Sequence, residues 1–378
     1  MIWAALLTVA GLIAFGAAHS QAQDVIKFGV STPLSGPAAP WGIPHKNATE
    51  LIFDEINAQG GLDLGGKKYK LEVIAYDHKY VIAEGVATVN RLIAKDGVKY
   101  VSILGGAVVK ANEEAVNEGR VLNLPLAYAD GLVSPKNPLT FHSFPAPPET
   151  TSFWKWIKQN HPGLKRVATI SPNDDTGWWS IKVETTFIQK LGYETVAKEF
   201  FERTMTDFNP ILLRILAQKP DVISVLASPA GSVGLIIKQA RELGITAPFL
   251  GGDTWEAPEF VDVGKAAVEG AVFSTFFATE VPITETSKTF LDSYRKQYGK
   301  EPAAVTALGF DGYLVVRAAI EKAGSLDGAK LRDVLATTQK FPGAAGFITF
   351  DENRDATKSA VIKVVKGGKF SYLTTVQP

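Results

Sequence analysis

The sequence predicts an α/β architecture of two lobes, each a doubly wound parallel sheet, and three observations carry that expectation. Short β-branched runs alternate with amphipathic helical stretches, the rhythm that places parallel strands between two layers of helices. The chain has 378 residues and is 46% hydrophobic, more than one α/β core of this kind normally organises. A proline-dense stretch, FHSFPAPPETTSF at 141–153, interrupts the rhythm, with Pro145, Pro147 and Pro148 breaking any regular element as a stiff crossover would.

In chain order, the first segment stands apart. MIWAALLTVAGLIAFGAAHSQAQ is apolar from Ile2 to Ala18 and then small and polar, with Ser20 and Ala22 set as the small residues ahead of a signal-peptidase cut. Residues 1–22 are therefore expected to be a cleaved export signal, with Gln23 or Asp24 as the mature start. The competing reading is an N-terminal membrane anchor, for which the run is borderline in length. Only Met1 and Ile2 precede Trp3, so the usual basic n-region is missing.

Strands are expected at IKFGV (26–30), LEVIAY (71–76), KYVSIL (99–104), LPLAY (124–128), RVATI (166–170), DVISVLA (221–227), PFLGG (248–252) and AVFSTFF (271–277). Between the first two, a helix carries Ala48, Leu51, Ile52 and Ile56 on one face and stops at Gly60-Gly61, a glycine cap. Further helices are expected over 83–95, 178–191, 208–218, 232–243, 286–298 and 305–323. A second crossover is expected near 277–282, and the short strands of 346–375 offer a third. The lobes are thus drawn as 23–144 with 279–345, and 145–278 with 346–378.

Composition excludes several functions. Lys plus Arg and Asp plus Glu both number 39, so the basic surplus that phosphate neutralisation needs is missing and nucleic acid is not an expected partner. Cysteine is absent, which removes disulfides, thiol catalysis, thiolate metal sites and a lipid-bearing cysteine anchor. No GxGxxG follows a strand and no Walker-type loop occurs. ASPAGSVG (227–234) resembles a nucleophile elbow but fails Gly-x-Ser-x-Gly at Ala230, which leaves Ser232 as a helix cap or contact residue. No histidine pairs with another at ligand spacing, and Asp174-Asp175 and Glu113-Glu114 read as solvated charges. No catalytic residue, metal or cofactor is expected.

PLSGPAAPWG (33–42), DEINAQGG (54–61), ISPNDDTGWW (170–179), KQARELGITAPFLGGDTW (238–255), ALGFDGYLVV (307–316) and ITFDENRDA (348–356) follow one another in order. Their succession resembles the periplasmic solute-binding proteins of ABC importers, of the branched-chain (leucine/isoleucine/valine) amino-acid type. The resemblance implies a type I fold with three hinge crossovers, a solute bound between lobes that close over it, a membrane permease as partner, and a monomer in the periplasm. The place of the solute agrees with the rule that open α/β sheets bind ligands at the carboxyl ends of their strands.

The resemblance also implies site residues. Trp41, on the loop after the first strand, is placed at the cleft mouth, where an aromatic face covers the solute; the alternative is a hydrophobic staple over its own helix. The loop that offers hydroxyls and amides to a carboxylate falls on Ala107, Val108, Val109 and Lys110, and the hydroxyls are gone. The next falls on Tyr128, Ala129, Asp130, Gly131 and Leu132, where the usual threonine has become Leu132. The second lobe supplies Thr176, Trp178 or Trp179, Ser228, Pro229, Ala230, Asp253 and Trp255. A zwitterion needs both charges paired in a closed cleft, and half of that equipment is altered. What remains is rich in flat rings, with Phe276 or Phe277 as further candidates, so an aromatic carboxylate is favoured over a branched-chain amino acid. A branched-chain or hydrophobic amino-acid binder and a ligand-sensing module of the same fold stand as alternatives. Trp154 and Trp156 are expected to be structural.

Overall fold

A computed structural model describes residues 24–129, 131–143 and 146–377. Asp130 and the export-signal expectation for 1–22 lie outside the described residues. The first lobe begins with β1 (Asp24–Thr32), α1 (Ala39–Ala58), β2 (Leu62–Leu64), β3 (Lys67–Asp77), α2 (Ile82–Asn90), β4 (Tyr100–Ile103), α3 (Gly106–Ala111), α4 (Glu113–Glu118) and β5 (Leu122–Asn123). Its sheet runs β2-β3-β1-β4-β5, parallel apart from the β2–β3 hairpin. β1 shows why both faces are covered. Ile26, Phe28 and Val30 point into one core, while a Cβ on Gly29 would lie 3.0 Å from Leu92 in the other.

The second lobe follows with α5 (Ala146–Asn160), β6 (Arg166–Pro172), α6 (Asp175–Lys190), β7 (Glu194–Phe201), α7 (Asn209–Ala217), β8 (Val222–Val225), α8 (Ala230–Glu242), β9 (Phe249–Gly251), α9 (Pro258–Gly264) and β10 (Val272–Thr275). The chain then returns through α10 (Glu285–Tyr298), α11 (Ala304–Ala323), α12 (Gly328–Leu335) and the small strands β11 (Phe341–Gly343), β12 (Gly346–Phe350) and β13 (Ala356–Thr357). It ends in β14 (Ala360–Lys366) and β15 (Lys369–Val376), an antiparallel hairpin added to β10. The second sheet is therefore β15-β14-β10-β9-β8-β6-β7.

Four differences from the sequence reading have physical causes. The prolines of 141–153 were expected to break any element, yet α5 begins at Ala146, so Pro147 and Pro148 fall in a first turn that loses no intrahelical N–H bond. For the same reason α1 starts at Ala39 with Pro40 beside it, which puts Trp41 on a helix and not on a loop. Ser232 lies inside α8, whose cap position is Pro229. β7 escaped notice because an edge strand carries charge; its Glu199 binds Arg214 of α7 at 2.5 Å.

Core membership places the crossovers. Phe276 and Phe277, just past β10, already belong to the first-lobe core. Ile348, Phe350 and Ala356 belong to that same core, whereas Ile362 and Val365 belong to second-lobe clusters. We therefore propose the third crossing at 357–360, in place of 345–346.

Candidate solute cleft

The two lobes build the cleft with matching devices. At the end of β1, a Cβ on Gly42 would meet the Pro33 carbonyl oxygen at 1.7 Å; at the end of β6, one on Gly177 would meet the Pro172 carbonyl oxygen at 1.9 Å. Glycine alone allows each helix to pack this closely on the strand end it follows. The residue before each glycine is thereby held at the cleft, Trp41 from lobe one and Thr176 from lobe two. Asp77 secures the first of these loops by accepting from Leu34 N (2.8 Å) and Ser35 Oγ (2.5 Å). Asp174 caps α6 by accepting from Gly177 N at 3.0 Å.

Between the lobes lies a cavity of about 690 Å³, counting its mouth, at the carboxyl ends of both sheets. Its apolar wall includes Trp41, Leu104, Leu126, Ala257 and Val305. The lobes touch across it. Tyr80 Oη lies 3.3 Å from Thr176 Oγ1, Tyr128 Oη donates to Asp253 Oδ1 at 2.9 Å, and Lys110 Nζ lies 3.8 Å from Asp175. Tyr128 also stacks on Trp179, with ring centres 5.5 Å apart.

Arg203, Asp253 and Glu256 bring charged groups to the cavity from the second lobe. Arg203 follows β7 and is held by Asp174, whose Oδ2 accepts from Nε at 2.6 Å. Its guanidinium sits 4.9 Å from the ring of Tyr80 and 5.8 Å from that of Trp41. Nη1 donates to the Ala227 carbonyl at 3.4 Å, while Nη2 is buried without a partner. A buried cationic donor left open on a cavity wall is a ready receptor for an anion. The second group is Asp253. Removal from water is the main cause that pushes its carboxyl up to about 7, with the nearby Glu256 charge adding to the rise and the Tyr128 hydrogen bond opposing it. Beside it, Thr254 Oγ1 also lacks a partner. Glu256 itself is engaged by Lys363 Nζ and Thr275 Oγ1, at 2.5 and 2.6 Å.

Of the residues expected from sequence, the cavity gathers Trp41, Tyr128, Thr176 and Asp253. The others stand elsewhere. Val108, Val109, Ala129 and Leu132 are buried in a first-lobe core, Ala107 lies on the same short helix, and Lys110 is turned to Asp175 at the rim. Gly131 and Lys110 border a separate small pocket. Ser228 is fully buried and donates to the Leu226 carbonyl, with Pro229 beside it heading α8. Trp255 was expected on the cleft wall, but it is fully buried, stacked on the bare backbone of Gly251, and donates to the Val225 carbonyl at 3.0 Å. Trp178 points outward at 50% exposure, while its neighbour Trp179 meets Tyr128. Phe276 and Phe277 are core residues.

Sequence reading missed Tyr80 and Arg203. Tyr80 had a signal visible only in the backbone, since it and Lys79 both adopt left-handed conformations (φ 61° and 54°), a strain that gathers at functional sites. Arg203 lies just beyond the carboxyl end of a strand that had gone unrecognised. Among the described residues, no group of three or more His, Cys, Asp or Glu could hold a metal ion, and no helix is long and apolar enough to cross a membrane.

Two mostly parallel lobes with a cleft at their strand ends define a two-lobe binding protein. Residues 25–369 match the periplasmic binding protein family, and the chain belongs to it. A Leu/Ile/Val-binding protein of Rhizobium johnstonii is 27% identical over 93% of this chain and 94% of its own length. Among solved structures, the isoleucine complex of LivJ, the branched-chain amino-acid transporter substrate-binding protein of Streptococcus pneumoniae, has a TM-score of 0.83 at 28% identity, covering 94% of this chain and all of that one. A Rhodopseudomonas palustris solute-binding protein in complex with 3,4-dihydroxybenzoic acid has the same fold, with a TM-score of 0.80 at 24% identity over 94% and 98% of the two chains. The chain is a solute-binding protein of this family.

Proposed function

We propose that the chain is exported, loses residues 1–22, and acts in the periplasm as the monomeric binding protein of an ABC importer. It captures a small carboxylate-bearing solute with a flat apolar body and delivers it to a membrane permease without chemical change. The observation that carries the solute class is the partnerless Nη2 of Arg203, set in a cavity faced with the rings of Trp41, Tyr80 and Tyr128. The arginine pairs the carboxylate and the rings take the body. At the other end, Asp253, pushed up to about 7, carries at neutral pH only part of the charge that an ammonium would need. An aromatic acid therefore fits better than a branched-chain amino acid.

Thermal-shift screening of the mature protein against benzoates, phenyl-carboxylates and amino acids tests this. A specific solute at a hundredfold excess over its Kd adds about 2.7 kcal/mol of stability. Stabilisation by leucine or isoleucine and by no aromatic acid would reject the aromatic assignment, and turnover of the solute would reject a binding role. Trp41→Ala is expected to weaken binding of the solute about tenfold, by the loss of one ring contact worth up to ~1.5 kcal/mol; an unchanged Kd in titration calorimetry would remove Trp41 from the site.

The pH profile separates the two solute classes independently. An aromatic acid brings a second negative charge and excludes water from Asp253 without supplying a cation, which favours the protonated carboxyl, so affinity is expected to fall as pH rises through about 7, the value at which the free group titrates. An ammonium solute needs the ionised form, so its affinity would climb over the same range and then level off. Titrations between pH 5.5 and 8.5 with wild type and Asp253→Asn, in which the Asp253 contribution disappears, decide the sign.

A further inference from the structure

Behind the Tyr128–Asp253 contact lies a second, smaller chamber. It shares Tyr128, Ala227 and Asp253 with the main cavity, its other walls include Trp179, Ser180, Val183 and Glu184, and its volume is about 390 Å³ counting its opening. Both spaces lie along one face of α6. Thr176 lines the main cavity, while Trp179, Ser180, Val183 and Glu184, at helical spacings of three and four, line the chamber. Ala227, in the shared wall, holds a left-handed conformation at φ 50°, and its carbonyl receives Arg203.

Glu184 is the unusual occupant. It is 1% exposed, yet no cation pairs with it among the described residues. Its Oε1 accepts from Trp154 Nε1 at 3.0 Å and from Ser224 Oγ at 2.6 Å. Its Oε2 is buried with no hydrogen-bond partner. Burial pushes the carboxyl up to about 7, against the pull of its two hydrogen bonds. A purely structural glutamate tying α5, α6 and β8 together would need only the satisfied oxygen. The open one costs stability unless something donates to it.

We propose that this chamber is a second subsite of the cleft, which takes a hydroxyl at the end of the solute opposite its carboxylate and binds it on Glu184 Oε2. The inference rests on the reading of Arg203 as the carboxylate receptor. With the carboxylate at Arg203 and the flat body against Tyr80 and Trp41, a para substituent displaces the Tyr128–Asp253 contact and enters the chamber. An ether oxygen at the same place cannot donate, so it leaves Glu184 Oε2 unsatisfied and does not replace the bond that Asp253 Oδ1 loses from Tyr128.

The test is titration calorimetry of the mature protein with benzoate, 4-hydroxybenzoate, 4-methoxybenzoate, phenylalanine and tyrosine. The wild type is expected to bind 4-hydroxybenzoate at least about tenfold more tightly than benzoate, with the methoxy acid weaker than either. Glu184→Gln places a donor where the acceptor was, so the hydroxyl-over-methoxy preference shrinks to within about threefold. Ser180→Leu fills the chamber while keeping the Glu184 carboxyl and is expected to weaken 4-hydroxybenzoate while leaving benzoate unchanged; it decides the matter if the glutamine variant does not fold. Equal wild-type affinities for benzoate and 4-hydroxybenzoate overturn the subsite, as does a preference that survives both substitutions, which would mean that Asp253 or a water receives the hydroxyl. Should only phenylalanine and tyrosine bind, the aromatic-acid reading fails and the tyrosine-to-phenylalanine ratio in the same variants decides the chamber. Binding of none of the five overturns both.

Discussion

Arg203→Gln is expected to weaken binding of the carboxylate solute by about a hundredfold or more, with a smaller loss of stability in the unliganded protein, which gives up the Asp174 ion pair. The guanidinium is mostly withdrawn from water, at 18% exposure, and its remaining donor has no protein partner to lose. A charge-assisted hydrogen bond made in such surroundings is worth more than one at the surface, and truncating one side of a desolvated charge pair typically costs 2–5 kcal/mol. That loss is limited because Asp174 is about a third exposed, so water takes over for the arginine, and it keeps its bond from Gly177 N, so α6 stays capped. Arg203→Lys is expected to fall between the two, since an ammonium keeps the charge but cannot hold Asp174, the Ala227 carbonyl and a carboxylate in one plane. The measurement is Kd by titration calorimetry, with free-protein melting as control. A Kd within about threefold of wild type for the glutamine variant would relocate the anion to the amides of the loop over Ala107, Val108, Val109 and Lys110, where the family resemblance had put it.

How far the sequence revealed this site depends on what each residue needs from its surroundings. The strand-and-helix rhythm was legible because a sheet covered on both faces demands continuous apolar runs, as Val167, Ala168 and Ile170 in β6 and Ile223 and Val225 in β8 show by their complete burial. Trp41 and Thr176 were legible through the family resemblance, and the structure shows why a glycine must follow each of them. Asp253 was legible as an acid after a strand, though the neighbouring Trp255 was not separable from it; only the close approach to Gly251 reveals that this indole turns into the core. Arg203 was hidden by its strand. β7 sits at the sheet edge, where charged residues are tolerated, and the cue that ligands gather at carboxyl strand ends cannot be applied to a strand that is not recognised. Glu184 was hidden for another reason. A single acid in a helix reads as solvated until tertiary packing places Trp154 and Ser224 against it.

The largest effect on stability is expected at the third crossing, from Asp311→Ala. Asp311 projects from α11 and is fully buried, as is the Lys358 side chain, whose Nζ lies 2.5 Å from Oδ2. The same carboxylate accepts from the backbone of Ala344 and, at 3.1 Å, of Ala345, and the approach is so close that a Cβ on Gly343 would lie 2.5 Å from Oδ1. One side chain thus ties a first-lobe helix to the turn between β11 and β12 and to the segment between β13 and β14, where the third crossing is proposed. Removing it strands a buried ammonium and two buried amides together, and breaking a buried pair from one side typically costs 3–5 kcal/mol. The loss is read from the urea midpoint of the ligand-free protein. Lys358→Met in the same chain is expected to restore part of it, because the uncompensated charge disappears while the orphaned amides remain, so the double variant should be more stable than Asp311→Ala alone. A single variant within about 1 kcal/mol of wild type, or a double variant less stable than the single, would show that the pair is not what anchors the crossing.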